Sequence, residues 1–226
     1  MTPPLAVDID GTITDGDSVV DPRALAVLRE WDAPVVVATG KALPYPVALC
    51  HFAGIALVVV AENGGVAYVD ATDELVVLGD RTAPQAVADE YVAAGYDLGW
   101  GEFDPLNRWR ETEIAVSRES PLEPLERIAA DHGLEVVDTG YAYHVKSADV
   151  TKGKALEAVA AELGRETAEF AAVGDSVNDV STFEAVGRSI AVGNADGAAR
   201  QAADEVVDAT YGDGFLEAAE RLGAEE

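Results

Sequence analysis

Asp8 and Asp10 stand two residues apart where the apolar run Leu5-Ala6-Val7 ends, and Gly11-Thr12 follows them. In a strand, residues i and i+2 face the same way, so both carboxylates can address one site. Held close and uncompensated they repel, and one tends to take up a proton. A bound cation lets both work at neutral pH. Gly11 permits a sharp turn and close approach to a ligand. Three later stretches extend the pattern: Thr39-Gly40-Lys41, Lys152, and Gly174-Asp175-Ser176-Val177-Asn178-Asp179. Asp8, Asp175 and Asp179 offer hard oxygen ligands, which suit Mg²⁺ better than a metal that seeks thiolate or imidazole. Lys152 is a point charge able to hold a phosphate oxygen; Lys154, two residues on, is its rival. The Thr39 hydroxyl and the Gly40 amide can donate to the same group, and a helix-capping role for Thr39 is compatible with this. One carboxylate as nucleophile and another as proton carrier make a covalent route to phosphate ester cleavage.

Residues so far apart in the chain need a sheet to gather them. In open α/β sheets the ligand sits at the carboxyl ends of the strands, and the texture supplies such strands. Pro34 to Ala38, Ile55 to Ala61 and Phe170 to Gly174 are short, almost wholly apolar runs, as in parallel strands buried on both faces. Pro22 to Trp31 has helical spacing, and a helix started by proline is expected to end near Gly54. Glu62-Asn63-Gly64-Gly65 reads as a turn, followed by a hairpin of Val66 to Val69 and Leu75 to Leu78. After Thr151 to Leu163, a helix, the α/β rhythm runs on to a last helix over Phe215 to Leu222. Between residues 81 and 149 the texture differs: helices at 84–94 and 122–132, and strands at 108–117, 134–137 and 141–146. The expected architecture is therefore α/β. A Rossmann-like, doubly wound parallel sheet forms a core over residues 1–80 and 150–226, and a small α+β unit is inserted at 81–149.

The 226 residues suffice for such a core and insert. Asp and Glu number 42 against 15 Lys and Arg, a net charge of -27, which argues against nucleic acid and anionic membrane surfaces as partners. Only Lys41, Lys146, Lys152 and Lys154 are lysines. An acid-rich, lysine-poor composition of this kind is that of a halophilic protein, in which salt screens self-repulsion. A single cysteine, Cys50, fits a reducing compartment and reads as a small buried residue. The first residues enter a strand with no basic or cleavable leader, so a cytoplasmic location is expected. A homodimer is left open.

At these residues the sequence resembles the haloacid dehalogenase (HAD) superfamily of phosphohydrolases. Asp8 to Thr12 matches its Asp-x-Asp-Gly-Thr motif, Thr39 its second, Lys152 its third and Gly174 to Asp179 its Gly-Asp-x-x-Asn-Asp motif. The insert is similar to the C2B cap in a small form. Glu62 to Gly65, Asn107 to Glu111 and Gly140 to His144 further resemble the archaeal phosphoglycolate phosphatase subgroup. Lys41 departs from many relatives with this cap, which carry Arg there. The resemblance implies attack by Asp8 on phosphorus and proton transfer by Asp10. It implies Mg²⁺ held by the Asp8 carboxylate, the Asp10 backbone carbonyl, Asp175 and Asp179. Thr39 and Lys152 would hold the phosphoryl group.

The implied activity is hydrolysis of a small phosphorylated metabolite, with 2-phosphoglycolate first, a sugar phosphate second and a phospho-accepting receiver domain as a distant third. Phosphoglycolate adds a carboxylate that needs a second positive group. Arg108 and Arg110 would share one face of a strand and offer paired hydrogen bonds; pairing with surface acids is the equal alternative. Asn63 reads evenly as a turn residue or a substrate-loop residue. His144 reads as a packed cap histidine or one that meets substrate, and Trp109 and Tyr143 as cap core.

Overall fold

The structure, a computed structural model, describes residues 2–223. Eleven strands and eight helices alternate along the described chain. The first half of the core contains β1 (Leu5–Val7), α1 (Pro22–Glu30), β2 (Val35–Ala38), α2 (Pro44–Ala53), β3 (Val58–Ala61), β4 (Val66–Val69) and β5 (Glu74–Val77). The inserted stretch contains α3 (Thr82–Ala93), β6 (Ile114–Ser117), α4 (Leu122–Asp131), β7 (Glu135–Asp138) and β8 (Ala142–Lys146). The chain then returns with α5 (Lys152–Glu162), β9 (Ala171–Gly174), α6 (Val180–Ala185), β10 (Arg188–Ala191), α7 (Gly197–Ala202), β11 (Glu205–Val206) and α8 (Tyr211–Gly223).

Eight strands form one sheet in the order β11-β10-β9-β1-β2-β3-β4-β5. The six from β11 to β3 run parallel, and β4 and β5 add antiparallel at one edge. Alternation along each strand builds two apolar layers. Leu5, Val7, Val35, Val37 and Val173 pack with Leu28 of α1, Cys50 of α2 and Phe215 of α8. Ala6, Val36, Val60 and Ala172 pack with Leu156 and Val159 of α5 and Phe183 of α6. Burial on both faces is why these strands read as unbroken apolar runs. β3 starts at Val58, later than Ile55, because the helix end claims the intervening residues: Gly54 turns left-handed at φ 71°, and the Gly54 and Ile55 N–H groups both donate to Cys50.

The inserted unit is a three-stranded antiparallel sheet, β6-β8-β7. One face carries Ile114, Val116, Tyr143 and Val145, which pack on Val87 and Tyr91 of α3 and Leu125 and Ile128 of α4. The alternate residues, Ala115, Ala142, His144 and Lys146, therefore lie on the other face. Two expectations fail here. The strand expected from Arg108 begins only at Ile114. Asn107 closes a turn instead: its N–H and Nδ2 donate to Asp104, Nδ2 also donates to the Ala115 carbonyl, and its Oδ1 accepts from Ala115 N–H. Trp109 is not cap core but 44% exposed, edge-on to Phe103. Tyr143 is core as expected.

Asp8, Glu62, Glu113 and Asp179 are the only buried acids among the described residues, so the large negative charge lies on the surface. Added salt screens that repulsion. Thermal unfolding in rising potassium chloride is expected to show the melting temperature increasing from low to molar salt; a flat or falling trend would refute the halophilic reading.

Candidate active site

β9, β1 and β2 are neighbours at the centre of the sheet, and each ends at a motif. After β1 the chain delivers Asp8, buried, and Asp10, partly open. After β2 it delivers Thr39, whose hydroxyl accepts from Lys41 N–H at 3.1 Å. After β9 come Asp175 and a tight turn in which the Asp179 carboxylate accepts from the Asp175 and Ser176 N–H groups at 3.0 and 3.1 Å. Gly11 is the residue the packing requires at its position: its φ is +80°, and a Cβ there would fall 2.1 Å from Asp175 Oδ2. Asn194 steadies the same loop by donating to the Gly11 carbonyl at 2.9 Å.

Lys152 opens α5, capped by the Thr151 hydroxyl, and its side chain is wholly buried. Its ammonium donates to Asp8 Oδ1 at 2.7 Å and to Asp179 Oδ1 at 2.8 Å. Lys154 is exposed and makes no side-chain contact with these acids among the described residues. Ligand oxygens of Asp8, Asp175 and Asp179 all lie within 4.8 Å of one another. Burial, the like charges of Asp179 and Asp10, and only partial relief from Lys152 push Asp8 up to about 7. Burial and the charges of Asp8 and Asp179 push Asp175 up to about 9. Two buried carboxylates and the half-buried Asp175 thus share one ammonium and are short of positive charge. An all-oxygen donor set with that deficit fits a divalent metal ion.

Cap and core meet over this cluster. A narrow cleft is lined from the core by Asp8, Asp10, Gly40, Lys41, Ser176 and Asn178, and from the cap by Arg110, Thr139, Tyr141 and His144. Its free volume is about 30 Å³, on the order of a single water, too small in this arrangement for a phosphorylated metabolite. Lys41 Nζ lies 3.1 Å from Asp10 Oδ1 and 4.6 Å from the centre of the Tyr141 ring. Arg110 donates to the Gly40 carbonyl at 2.9 Å and pairs with Glu113. Arg108 is exposed, 5.0 Å from the Phe103 ring, and does not line the cleft. The two arginines part company because they sit in a turn, not a strand.

Of the two roles considered for Asn63, the turn is the one the structure displays. It turns the chain at φ 54°, and it bridges: Asn178 Nδ2 donates to its Oδ1 at 2.8 Å, and its Nδ2 donates to Glu113 at 2.9 Å. Glu62 beside it, also left-handed at φ 52°, is buried, and accepts from Glu111 N–H and from the Thr112 N–H and hydroxyl. It therefore clamps the segment that enters β6 onto the core. Nothing local marks Glu62, Glu113 or Asn194 in the sequence. Their partners lie 49 or more residues away for Glu62 and 183 for the Asn194 bond to Gly11.

Fold and site together define a hydrolase with an α/β core and a cap. The chain belongs to the haloacid dehalogenase-like hydrolases, whose family pattern matches residues 5–95 and 122–218. Among curated proteins it is 63% identical over 220 residues to the phosphoglycolate phosphatase of Halobacterium salinarum, covering 97% of each chain. It is 59% identical to that of Natronomonas pharaonis, covering 98% of each. The phosphoglycolate phosphatase of Archaeoglobus fulgidus is 38% identical, with 97% of this chain and 96% of that one covered. The fold is also that of a Thermoplasma acidophilum crystal structure, at 23% identity with a TM-score of 0.85 and full coverage of both chains. No helix among the described residues is long and apolar enough to cross a membrane.

Proposed function

We propose that the chain is a Mg²⁺-dependent phosphomonoesterase that hydrolyses 2-phosphoglycolate to glycolate and phosphate. The observation that carries this reading is the buried cluster of Asp8, Asp175, Asp179 and Lys152 beneath a cap that contributes Arg110 to the same cleft. The relatives' names point to the same substrate. The reading assigns residues 1–80 and 150–226 to the catalytic core and 81–149 to the cap.

Asp8, Asp175 and Asp179, with the Asp10 carbonyl, would hold Mg²⁺, which when bound would neutralise the carboxylates and draw charge from the phosphoryl oxygens. Asp8 then serves as nucleophile. Its oxygen forms a bond to phosphorus as the ester P–O bond breaks, and Asp10 gives its proton to the departing alkoxide. In the second step Asp10 takes a proton from water, the water oxygen bonds to phosphorus, and the bond from phosphorus to Asp8 breaks. Lys152, the Thr39 hydroxyl and the Gly40 amide stabilise the phosphoryl charge. Asn63 holds Asn178 and so the loop of Asp175 and Asp179. Arg110 offers its guanidinium to the substrate carboxylate; Arg108, outside the cleft, has no part in this.

Phosphate release from a panel of small phospho-metabolites, in molar salt, tests the reading. Phosphoglycolate should be turned over best, Mg²⁺ should be required, and chelator should remove activity. Full activity in metal-free protein, or clear preference for a sugar phosphate, would contradict it.

A further inference from the structure

Two buried groups, Glu113 and His144, have no part in the chemistry above. Glu113 lies immediately before β6 and accepts from Arg110, from His144 Nδ1 at 2.8 Å and from Asn63 Nδ2 at 2.9 Å. Arg110, Glu113 and His144 are all buried, and Arg110 and His144 line the cleft above Asp8 and Asp10. Burial alone would raise the Glu113 carboxyl, but the charges of His144 and Arg110 outweigh it and hold the group down at about 2. An ionised carboxylate only accepts hydrogen bonds, so His144 Nδ1 carries a proton and donates it. Nε2 makes no hydrogen bond among the described residues and is the ring atom left for a ligand. Arg110 and Glu113 also fall in the stretch 96–121 that the family pattern does not match.

The charge balance of the cleft gives this histidine its significance. Every fixed cation there already has an acid partner: Lys152 has Asp8 and Asp179, Lys41 has Asp10, and Arg110 has Glu113. A substrate carboxylate reaching the cap wall therefore also needs a donor that these pairs leave uncommitted. With the phosphate over Asp8 and the ester oxygen toward Asp10, the carboxylate carbon of phosphoglycolate is two bonds from that oxygen. The cap-side wall of the same cleft is Arg110, Thr139, Tyr141 and His144. Among these, His144 holds a ring nitrogen, Nε2, with no hydrogen-bond partner among the described residues.

We propose that His144, oriented by Glu113, is a specificity residue: as an imidazolium it donates Nε2–H to the substrate carboxylate beside Arg110. Glu113 is the positioning residue, fixing the ring through Nδ1. The proposal rests on the reading of phosphoglycolate as substrate.

Steady-state kinetics of the full chain with Mg²⁺ in high salt test it, comparing phosphoglycolate with ethyl phosphate, which has a methyl group in place of the carboxylate. His144→Ala should raise KM for phosphoglycolate about 10- to 100-fold, the value of one charge-assisted hydrogen bond. Its kcat should change less, and ethyl phosphate should be affected far less. Glu113→Gln should shift KM in the same direction, and His144→Gln, which keeps an N–H but no charge, should recover part of the loss. If His144→Ala does not fold, the Gln variant carries the comparison. Equal loss on both substrates, or undiminished preference for phosphoglycolate in the variants, would overturn the role of His144. A wild-type protein without preference for phosphoglycolate over ethyl phosphate would instead overturn the substrate reading.

Discussion

Asp8→Asn should reduce phosphate release by a factor on the order of 10⁴–10⁶, the range seen when a nucleophile or its partner is removed, while the protein stays folded. The amide keeps the shape of the side chain but cannot form the acyl phosphate. Stability should hold, because Lys152 retains Asp179 at 2.8 Å and one of three crowded carboxylates has lost its charge. The melting temperature of the variant should equal or exceed that of the parent when metal is chelated. Intact-protein mass spectrometry during turnover should show a phosphorylated species in the parent and none in the variant. Substantial phosphate release from a pure Asp8→Asn sample would end the covalent mechanism.

Lys152→Met should remove activity and, unlike the first substitution, should also destabilise. Asp8, Asp175 and Asp179 would then lack their one ammonium. Breaking a buried ion pair by deleting one partner costs about 3–5 kcal/mol. The sign with pH follows from Asp8 near 7 and Asp175 near 9, both raised by burial above the ordinary 3.8. Metal-free folded protein then holds more protons than the unfolded chain from about pH 4 to about pH 9, so its stability falls as pH rises through that window. Lys152 lowers both groups, so the fall should be steeper in Lys152→Met, and a divalent metal should recover part of the loss. A chelated variant that melts like the parent, with the same pH slope, would show that Lys152 does not neutralise the cluster.

The core was legible because Asp8, Thr39 and Asp175 each follow a strand buried on both faces, and such a strand has no polar residue to blur its end. Asp8, Thr39 and Asp175 could be placed from that alone. The cap was legible only on its inner face, where Val116, Tyr143 and Val145 pack on helices. Its other face meets the core, so Arg110, Glu113 and His144 are buried as polar residues. A polar residue in an alternating stretch looks like one bound for water, which is how residues 108–113 came to be read as half-exposed strand. Glu62 and Glu113 act through partners supplied by the tertiary fold, Thr112 for the first and Asn63 and His144 for the second, which no helical or strand periodicity announces.

β1 pairs on one side with β2 and on the other with β9, Leu5 opposite both Val35 and Ala171. A chain emerging from the ribosome therefore completes β1 through β5 and the cap before the strand that covers the far side of β1 exists. Until then Leu5, Ala6 and Val7 present an open, apolar edge, the kind that templates pairing with other chains. Asp8 waits with neither Lys152 nor Asp175 beside it. Closing that edge and assembling the catalytic cluster are one late event in the life of the molecule, so a partly made chain is vulnerable to aggregation and inert at once.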